Sequence, residues 1–499
     1  MHRQEIRVDR SVPREHQLAW MIAELAADSV PVDQDVGEMI VNRVIDNAAV
    51  ATAATDRAPV ASARSQALAH PRPGGALVHG MPAEFRVHCE WAAWANAAAV
   101  RELDFHDSFF AIESCHPGDS ISSIVAVAQQ CGRPGADVVR GVAAAYEVQV
   151  ALAKGIPLQR FNIDHIGHLG PAVAAGVGAL LGLPTETIYQ AVQYAAHVGF
   201  YPRQGRKGAL SSWKANAPGH VGMLAIAATD RAMRGETSPT PVYEGDQGIV
   251  AAFLGGGDSA YTVTLPKANE PKRAILETYT KQHSAGYHGQ SMIDLAFRLR
   301  RRIEDFEAVE SIVLHVTRRC HRVMGSGAND PEKWDPEASR ETLDHSLPFV
   351  FAVALQDGEW HHERSYAPER VRRADTVRLW RKVETREDPE WTRRYDEPES
   401  LAKDHGCRAV IRLRDGHEIV DEIAVPDAHP RGAAPFGRVD YVGKFRQLTE
   451  KILPAGEADR FLTLAYDLPR LDAAGINQLG IRLRADTMAA ITPRGDGIF

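Results

Sequence analysis

From about residue 15 to 268, apolar positions recur at helical spacing in a background rich in alanine and glycine. "SSIVAVAQQCG" (122–132), "GADVVRGVAAAYEVQVALAKG" (135–155), "GPAVAAGVGALLGL" (170–183), "TETIYQAVQYAAHVGF" (185–200) and "GHVGMLAIAATDRAMRG" (219–235) each predict a helix. "GRPG", "GIP", "GLP" and "YPRQGRKG" break the pattern between them. Thr185, directly after Pro184, reads as a helix N-cap. Several of these segments are apolar on more than one side, so they are expected to lie buried between other helices. Their small residues permit close helix–helix approach.

The pattern changes near "KANEPKRA" (267–274). "SIVLHVT" (311–317) alternates with period two, "TVRLWRKVE" (376–384) does so loosely, and "CRAVIRLRDGHEIVDEIAV" (407–425) reads as a hairpin turning at Asp415–Gly416. "RETLDHSLPFVFAVALQDG" (340–358) between them predicts a helix. After the polar loop 426–435, helical spacing returns in "YVGKFRQLTEKIL" (441–453), and "ITPRGDGIF" reads as a loose tail. The expected fold is mainly α with a second α+β domain: helical over 1–268, α+β over 269–435, helical again over 436–499.

A chain of 499 residues exceeds one compact core, and 44 % hydrophobic with 24 % charged residues is ordinary for a soluble protein. No apolar run approaches the ~18–20 residues of a membrane span. The charged start "MHRQEIRVDRSVPREHQ" lacks the apolar core of a secretory signal. Five scattered cysteines without C-x-x-C spacing argue against a disulfide framework, a zinc ribbon or an iron–sulfur cluster, and suit reduced thiols in the cytoplasm. A net charge of −8 argues against nucleic acid as the partner. Yet residues 187–229 contain no acid and carry Arg203, Arg206, Lys207 and Lys214, which suits a small polyanion; a buried helical segment would also lack acids.

Five polar clusters stand out. "LDFHDSFFAIESCHPGDS" (103–120) holds Asp104, His106, Asp107, His116 and Asp119, a set open to metal ligation, acid–base chemistry or simple capping. "FNIDHIGHLG" (161–170) places Asp164, His165 and His168 at the start of a small-residue helix, where the positive dipole keeps an imidazole neutral. Its spacing matches no specific zinc signature. Lys214 in "GALSSWKANAPGH" (208–220) suits a carboxylate clamp, an acid or a snorkelling surface lysine. "KQHSAGYHGQSMID" (281–294) and "SRETLDHSLPF" (339–349) complete the series. No dinucleotide, P-loop or G-x-S-x-G motif of useful specificity is present.

In this order, "LDFHDS…HPGDS", "FNIDHIGHLG…LLGLP", "SSWKANAPGH", "KQHSAGYHGQ" and "RETLDHSLPF" resemble the MmgE/PrpD family over residues 20–485. The resemblance implies a large all-helical domain, built from the N-terminal half and the C-terminal tail, with a smaller α+β lid and the active site between them. Carried over position by position, it implies catalytic roles for Asp104, His116, His165 and Lys214. It implies substrate binding by Ser108, Lys281, Tyr287, His288, Gln290, Arg340 and His345. The spacing from Asp104 to His116 is slightly longer than in some relatives.

The activity so implied is loss of water from 2-methylcitrate to give 2-methyl-cis-aconitate in propionate breakdown, with citrate or cis-aconitate as side substrates. A small tricarboxylate substrate, no cofactor, no metal, no membrane partner and a homodimer are expected. Proton removal beside a carboxylate requires stabilisation of the developing charge, for which Lys214, Lys281 and Arg340 are candidates. Asp104 and His165 are read as base or base-orienter and His116 as the acid. The rivals are decarboxylation of cis-aconitate or epimerisation of a dicarboxylate on the same fold, a metal-dependent hydrolase, and a non-catalytic polyanion binder.

Overall fold

The computed structural model describes residues 1–484, 486–487 and 497–498. The expectation of a loose tail over 491–499 falls almost wholly outside them. Two buried apolar clusters organise the chain. The larger core draws on residues from Ile6 to Ile275 and again from Tyr441 to Ile481. The smaller core runs from Ala285 to Ile423. The returning helix Arg438–Thr449 packs on the early helix Gln34–Ala53, so the end of the chain completes the larger core.

Small residues set the helix spacing in the larger core. The helices Gly135–Gly155 and Leu169–Leu181 cross at a glycine pair. A Cβ on Gly141 would meet the Gly176 carbonyl oxygen at 2.7 Å, and one on Gly176 would meet that of Gly141 at 2.8 Å. Helix Trp213–Met233 approaches helix Cys89–Glu102 as closely: a Cβ on Gly219 would lie 2.5 Å from the Trp94 carbonyl oxygen. Helix Trp213–Met233 starts earlier than its apolar spacing suggests and carries Pro218 inside it. Thr185 is not the cap of its helix. Pro184 takes the extended cap position and Thr185 is the first helical residue, with no side-chain capping bond.

The N-terminal half is not purely helical, and the last of its strand pairs buries its side chains in two small clusters apart from the larger core. His2–Arg7 pairs antiparallel with Ala260–Leu265, Pro71–Leu77 with Arg86–Val87, and Phe109–Phe110 with Ser114–Cys115. The first strand buries only Ile6, so its sequence shows no apolar alternation.

The smaller core centres on a four-stranded sheet in the order Glu418–Ile423, Cys407–Leu413, Val309–Val316, Val383–Glu387. The first three are antiparallel and the last runs parallel to Val309–Val316. The hairpin turns at Asp415–Gly416, where Gly416 has φ +88°. Helices Tyr287–Arg300 and Leu347–Asp357 pack together beside the sheet. Two expectations change here. Residues Ala374–Trp380 are helix, and the strand begins only at Val383. The helix expected over 340–358 is two, Arg340–Leu343 and Leu347–Asp357. The break exposes Asp344 and His345 to the neighbouring segment, and Ser346 restarts the helix by accepting the Phe349 N–H at 3.4 Å.

Candidate active site

Asp104, His116, His165, Lys214, Lys281, Tyr287, His288 and His345 line one cavity. Segments of both cores contribute to its wall.

Asp104 follows the end of helix Cys89–Glu102 in the left-handed region, φ +48°, which aspartate tolerates better than most residues. That turn folds its carboxylate back onto Arg101, whose Nη1 donates to Oδ1. Lys281 Nζ lies 3.0 Å from Oδ2 and donates to the Asp104 carbonyl at 2.8 Å. Burial opposes ionisation of Asp104, but Arg101, Lys281, Lys214 and His345 outweigh it and hold the carboxyl well below the usual range. Asp104 is therefore a fixed carboxylate that aims cations. Burial, against the pull of Asp104 and with Arg101 and Lys214 nearby, brings the Lys281 ammonium down to about 8. From the returning helix, Lys444 pairs with Asp46 at 2.7 Å and donates to the carbonyls of Phe105 (2.7 Å) and Lys281 (2.9 Å).

His116 is set by Asp107. The Asp107 carboxylate accepts from Gly118 N–H (3.0 Å) and Tyr146 O–H (2.7 Å), and a Cβ on Gly118 would come within 2.9 Å of it. The Asp107 carbonyl lies 2.7 Å from His116 Nδ1. A carbonyl only accepts, so Nδ1 carries the proton and Nε2 keeps the lone pair. Burial, with Arg101 and Lys281 nearby, holds His116 well below the ordinary histidine range, so the ring is neutral. His106 and Asp119 pair with each other at 2.8 Å, both fully buried.

His165 is set by Asp164, which caps the short helix His165–His168. Asp164 Oδ1 lies 2.9 Å from His165 Nδ1, and Oδ2 accepts from Arg206 Nε at 2.9 Å. Arg206 Nη1 also donates to the Lys214 carbonyl at 3.3 Å. Among the described residues, His165 Nε2 is buried without a hydrogen-bond partner. The His116 and His165 rings stand 5.6 Å apart at 66°. His168 turns away and donates from Nε2 to the Ile156 carbonyl at 3.0 Å, a structural role.

Lys214 Nζ contacts Asp344 Oδ1 at 2.5 Å and His345 Nδ1 at 3.1 Å. Burial and the adjacent Lys214 bring His345 down to about 4, although Asp344 pulls the other way. Burial brings His288 down to about 3, and among the described residues both His288 Nδ1 and Tyr287 Oη are buried without hydrogen-bond partners.

Three expected residues sit behind the cavity. Ser108 Oγ lies 3.2 Å from His116 Nδ1 and backs that ring. The Gln290 amide donates to the carbonyls of His283 and Ala285 and accepts the N–H of Gln282 and His283, so it shapes the loop. Arg340 reaches Asp344 Oδ2 at 3.2 Å and the carbonyls of Glu102 and Leu103. Sequence reasoning missed Arg101, Asp344, Arg319 and the cavity positions of Arg203 and Arg206. The acid-free segment pointed to the last two, and Arg101 stands one helical turn before Asp104; Arg319 had no signal.

Ligand atoms of Asp104, Asp344 and His345 lie within 4.8 Å of one another. Both carboxylates are already taken by Arg101, Lys281, Lys214 and Arg340, so a cation there would displace built-in ammonium and guanidinium groups. A second group, His361, His362 and Glu363, fits a metal no better. His361 Nδ1 accepts the N–H of Glu363 (3.1 Å) and Arg364 (3.2 Å), leaving its proton on Nε2.

The chain matches the MmgE/PrpD N-terminal domain over residues 16–262 and the MmgE/PrpD C-terminal domain over 283–469. It belongs to the MmgE/PrpD family. A protein of Salmonella typhimurium named 2-methylcitrate dehydratase is 24% identical over 435 residues, covering 81% of this chain and 84% of its own. One of that name from Cupriavidus necator is 26% identical over 432 residues, with the same shares. The "2-methylcitrate dehydratase, mitochondrial" of Yarrowia lipolytica is 24% identical over 425 residues, 80% of this chain and 77% of its own. Among the described residues, no helix is long and apolar enough to cross a membrane.

Proposed function

We propose that the protein is a hydro-lyase that removes water from 2-methylcitrate to give 2-methyl-cis-aconitate. The names of its relatives favour this substrate, and the chemistry of the cavity suits it. The observation that carries the reading is the pair of imidazoles 5.6 Å apart, one with a free lone pair and one backed by a carboxylate, among paired cations.

This scheme reverses the roles expected of the two histidines, because His116 is neutral with its proton on Nδ1: His116 Nε2 takes the proton from the carbon beside a carboxylate, and Asp104, held as a carboxylate by its cations, is not the base. His165, entering with a proton on each nitrogen, keeps its Nδ1–H on Asp164 and delivers the Nε2 proton to the departing hydroxyl, ending as the neutral ring. Each such group contributes roughly 10²–10⁴ in rate. Lys214 and Lys281 hold substrate carboxylates and take up the charge that develops as the proton leaves, each donor being worth ~3–4 kcal/mol. Asp104, Asp344, Ser108, Gln290 and Arg340 position these groups, while Tyr287, His288 and His345 contact the substrate. The division into a helical unit (1–268 with 436–499) and an α+β lid (269–435), pairing of two copies and a place in the cytoplasm belong to the same proposal.

The test follows the absorbance of the unsaturated acid with 2-methylcitrate, citrate and cis-aconitate as separate substrates. The expected result is turnover of 2-methylcitrate well above the other two, lost in His165→Asn and unchanged by chelator. Faster consumption of cis-aconitate, or full activity in His165→Asn, would overturn the reading.

A further inference from the structure

Most cations around the cavity are already engaged by protein carboxylates. Arg101 and Lys281 serve Asp104, Lys214 serves Asp344, and Arg206 serves Asp164. Arg203 differs. Its backbone is fixed: Pro202 bridges to Ile163, and the Arg203 N–H donates to the Asn162 carbonyl at 2.8 Å, which ties it to the loop carrying His165. Its guanidinium lines the cavity and, among the described residues, has neither hydrogen bond nor ion pair.

The strongest charge acting on Arg203 is that of Arg319, another cation of the same wall. Arg319 is itself weakly held. Nη2 donates to Ser114 Oγ at 3.0 Å, and the Glu113 carboxylate lies 3.9 Å away. Glu113 is committed elsewhere, accepting the N–H of Ser114 and of Gln159 at 2.7 Å each and the Gln159 amide. Both guanidiniums line the same wall, and burial with the charge of Arg319 lowers the proton affinity of Arg203 more than Glu113 and Asp164 restore it, so the two like charges oppose each other. An anion between them would relieve that repulsion and accept charge-assisted hydrogen bonds from both. Arg319 also lines a neighbouring groove with Arg318, Arg322, Lys154 and Lys403 against Asp396 and Glu399, so cations outnumber acids on the approach to this wall even though Arg318 and Lys154 are paired with Glu387 and Glu277.

We propose that Arg203 and Arg319 form a carboxylate clamp that holds the substrate carboxylate most remote from the reacting carbon and selects tricarboxylates over dicarboxylates. The clamp rests on reading the cavity as a polycarboxylate site. Arg203 comes from a segment of the larger core and Arg319 from the smaller, so an anion held by both also joins the two parts. A dicarboxylate engages the lysine end and leaves the clamp empty.

The experiment is calorimetry on the full chain with two unreactive probes, tricarballylate and glutarate, in wild type, Arg203→Gln and Arg319→Gln. Each substitution is expected to weaken tricarballylate at least tenfold while changing glutarate less than twofold, with Arg203→Lys intermediate. Undiminished tricarballylate binding in both glutamine variants, or equal loss of both probes, overturns the clamp. Because the Arg203 side chain makes no hydrogen bond or ion pair among the described residues, Arg203→Gln is expected to melt with the wild type; if it does not, Arg319→Gln carries the test. Turnover is scored separately. Clamp-dependent tricarballylate binding without turnover of 2-methylcitrate upholds the clamp and sinks the dehydratase reading, and a wild type that binds neither probe sinks the clamp.

Discussion

Pro218 lies one helical turn after Lys214 and leaves the Lys214 carbonyl without its helical N–H partner. Arg206 takes up that carbonyl from Nη1 while its Nε holds Asp164, the residue that orients His165. A helix defect thus ties the lysine end of the cavity to one imidazole.

Pro218→Ala restores the missing intrahelical bond, and an interior proline costs a helix about 3 kcal/mol. The variant is expected to melt higher than the wild type. It is also expected to lose several-fold in kcat with little change in KM, because Arg206 must compete for the carbonyl. Thermal melting and steady-state kinetics on 2-methylcitrate check both halves.

Lys214 and Asp344 are 2% and 0% exposed, so each is a buried charge neutralised by the other. Lys214→Ala strands the carboxylate and is expected to cost about 3–5 kcal/mol of stability as well as all measurable turnover. Lys214→Met combined with Asp344→Asn is expected to regain much of the stability and none of the activity. Denaturant unfolding and turnover, measured together, separate the two effects.

In the proposed scheme Lys281 acts as a cation, and burial brings its ammonium down to about 8. It is charged below that pH and neutral above it, so kcat/KM is expected to fall with a single ionisation on the alkaline side of pH 8. Lys281→Arg, which stays charged, is expected to remove that limb. A pH profile of both proteins is the check.

Buried neutral histidines predict acid lability. Burial brings His79 down to about 3 and His168 to about 4, from 6.5 for an open chain. A depressed histidine contributes stability above 6.5 that is lost as pH falls toward its folded value, on the order of 5 kcal/mol for His79 and about 3 kcal/mol for His168. Glu244, raised by burial to about 7, acts oppositely, its contribution being lost as pH rises through that value. The melting temperature is expected to drop between pH 6.5 and 4.5, and less steeply in His168→Gln. Identical slopes would exclude His168 as a contributor.

The helices were legible because alanine, glycine and apolar residues keep a 3.6-residue period over many turns, and the stretch 135–155 is helical end to end. The hairpin was legible from Asp415–Gly416. The strand His2–Arg7 was not, because its partner lies at Ala260–Leu265 and only Ile6 is buried. In the cavity, residue types announced Asp104, His116, His165 and Lys214. The work done by Arg101, Arg206 and Asp344 depends on a left-handed turn, a proline-freed carbonyl and a helix break, none of which is carried by residue type alone.

Lys444 gives the site an order of assembly. Translation delivers it after every residue of the cavity wall, and until then Asp46 and the carbonyls of Phe105 and Lys281 lack the ammonium that gathers them. A nascent chain still missing this helix on the ribosome lacks the one ammonium that joins Asp46 to the Phe105 and Lys281 carbonyls, so on the proposed scheme the cavity wall is tied together only when the last part of the larger core folds home.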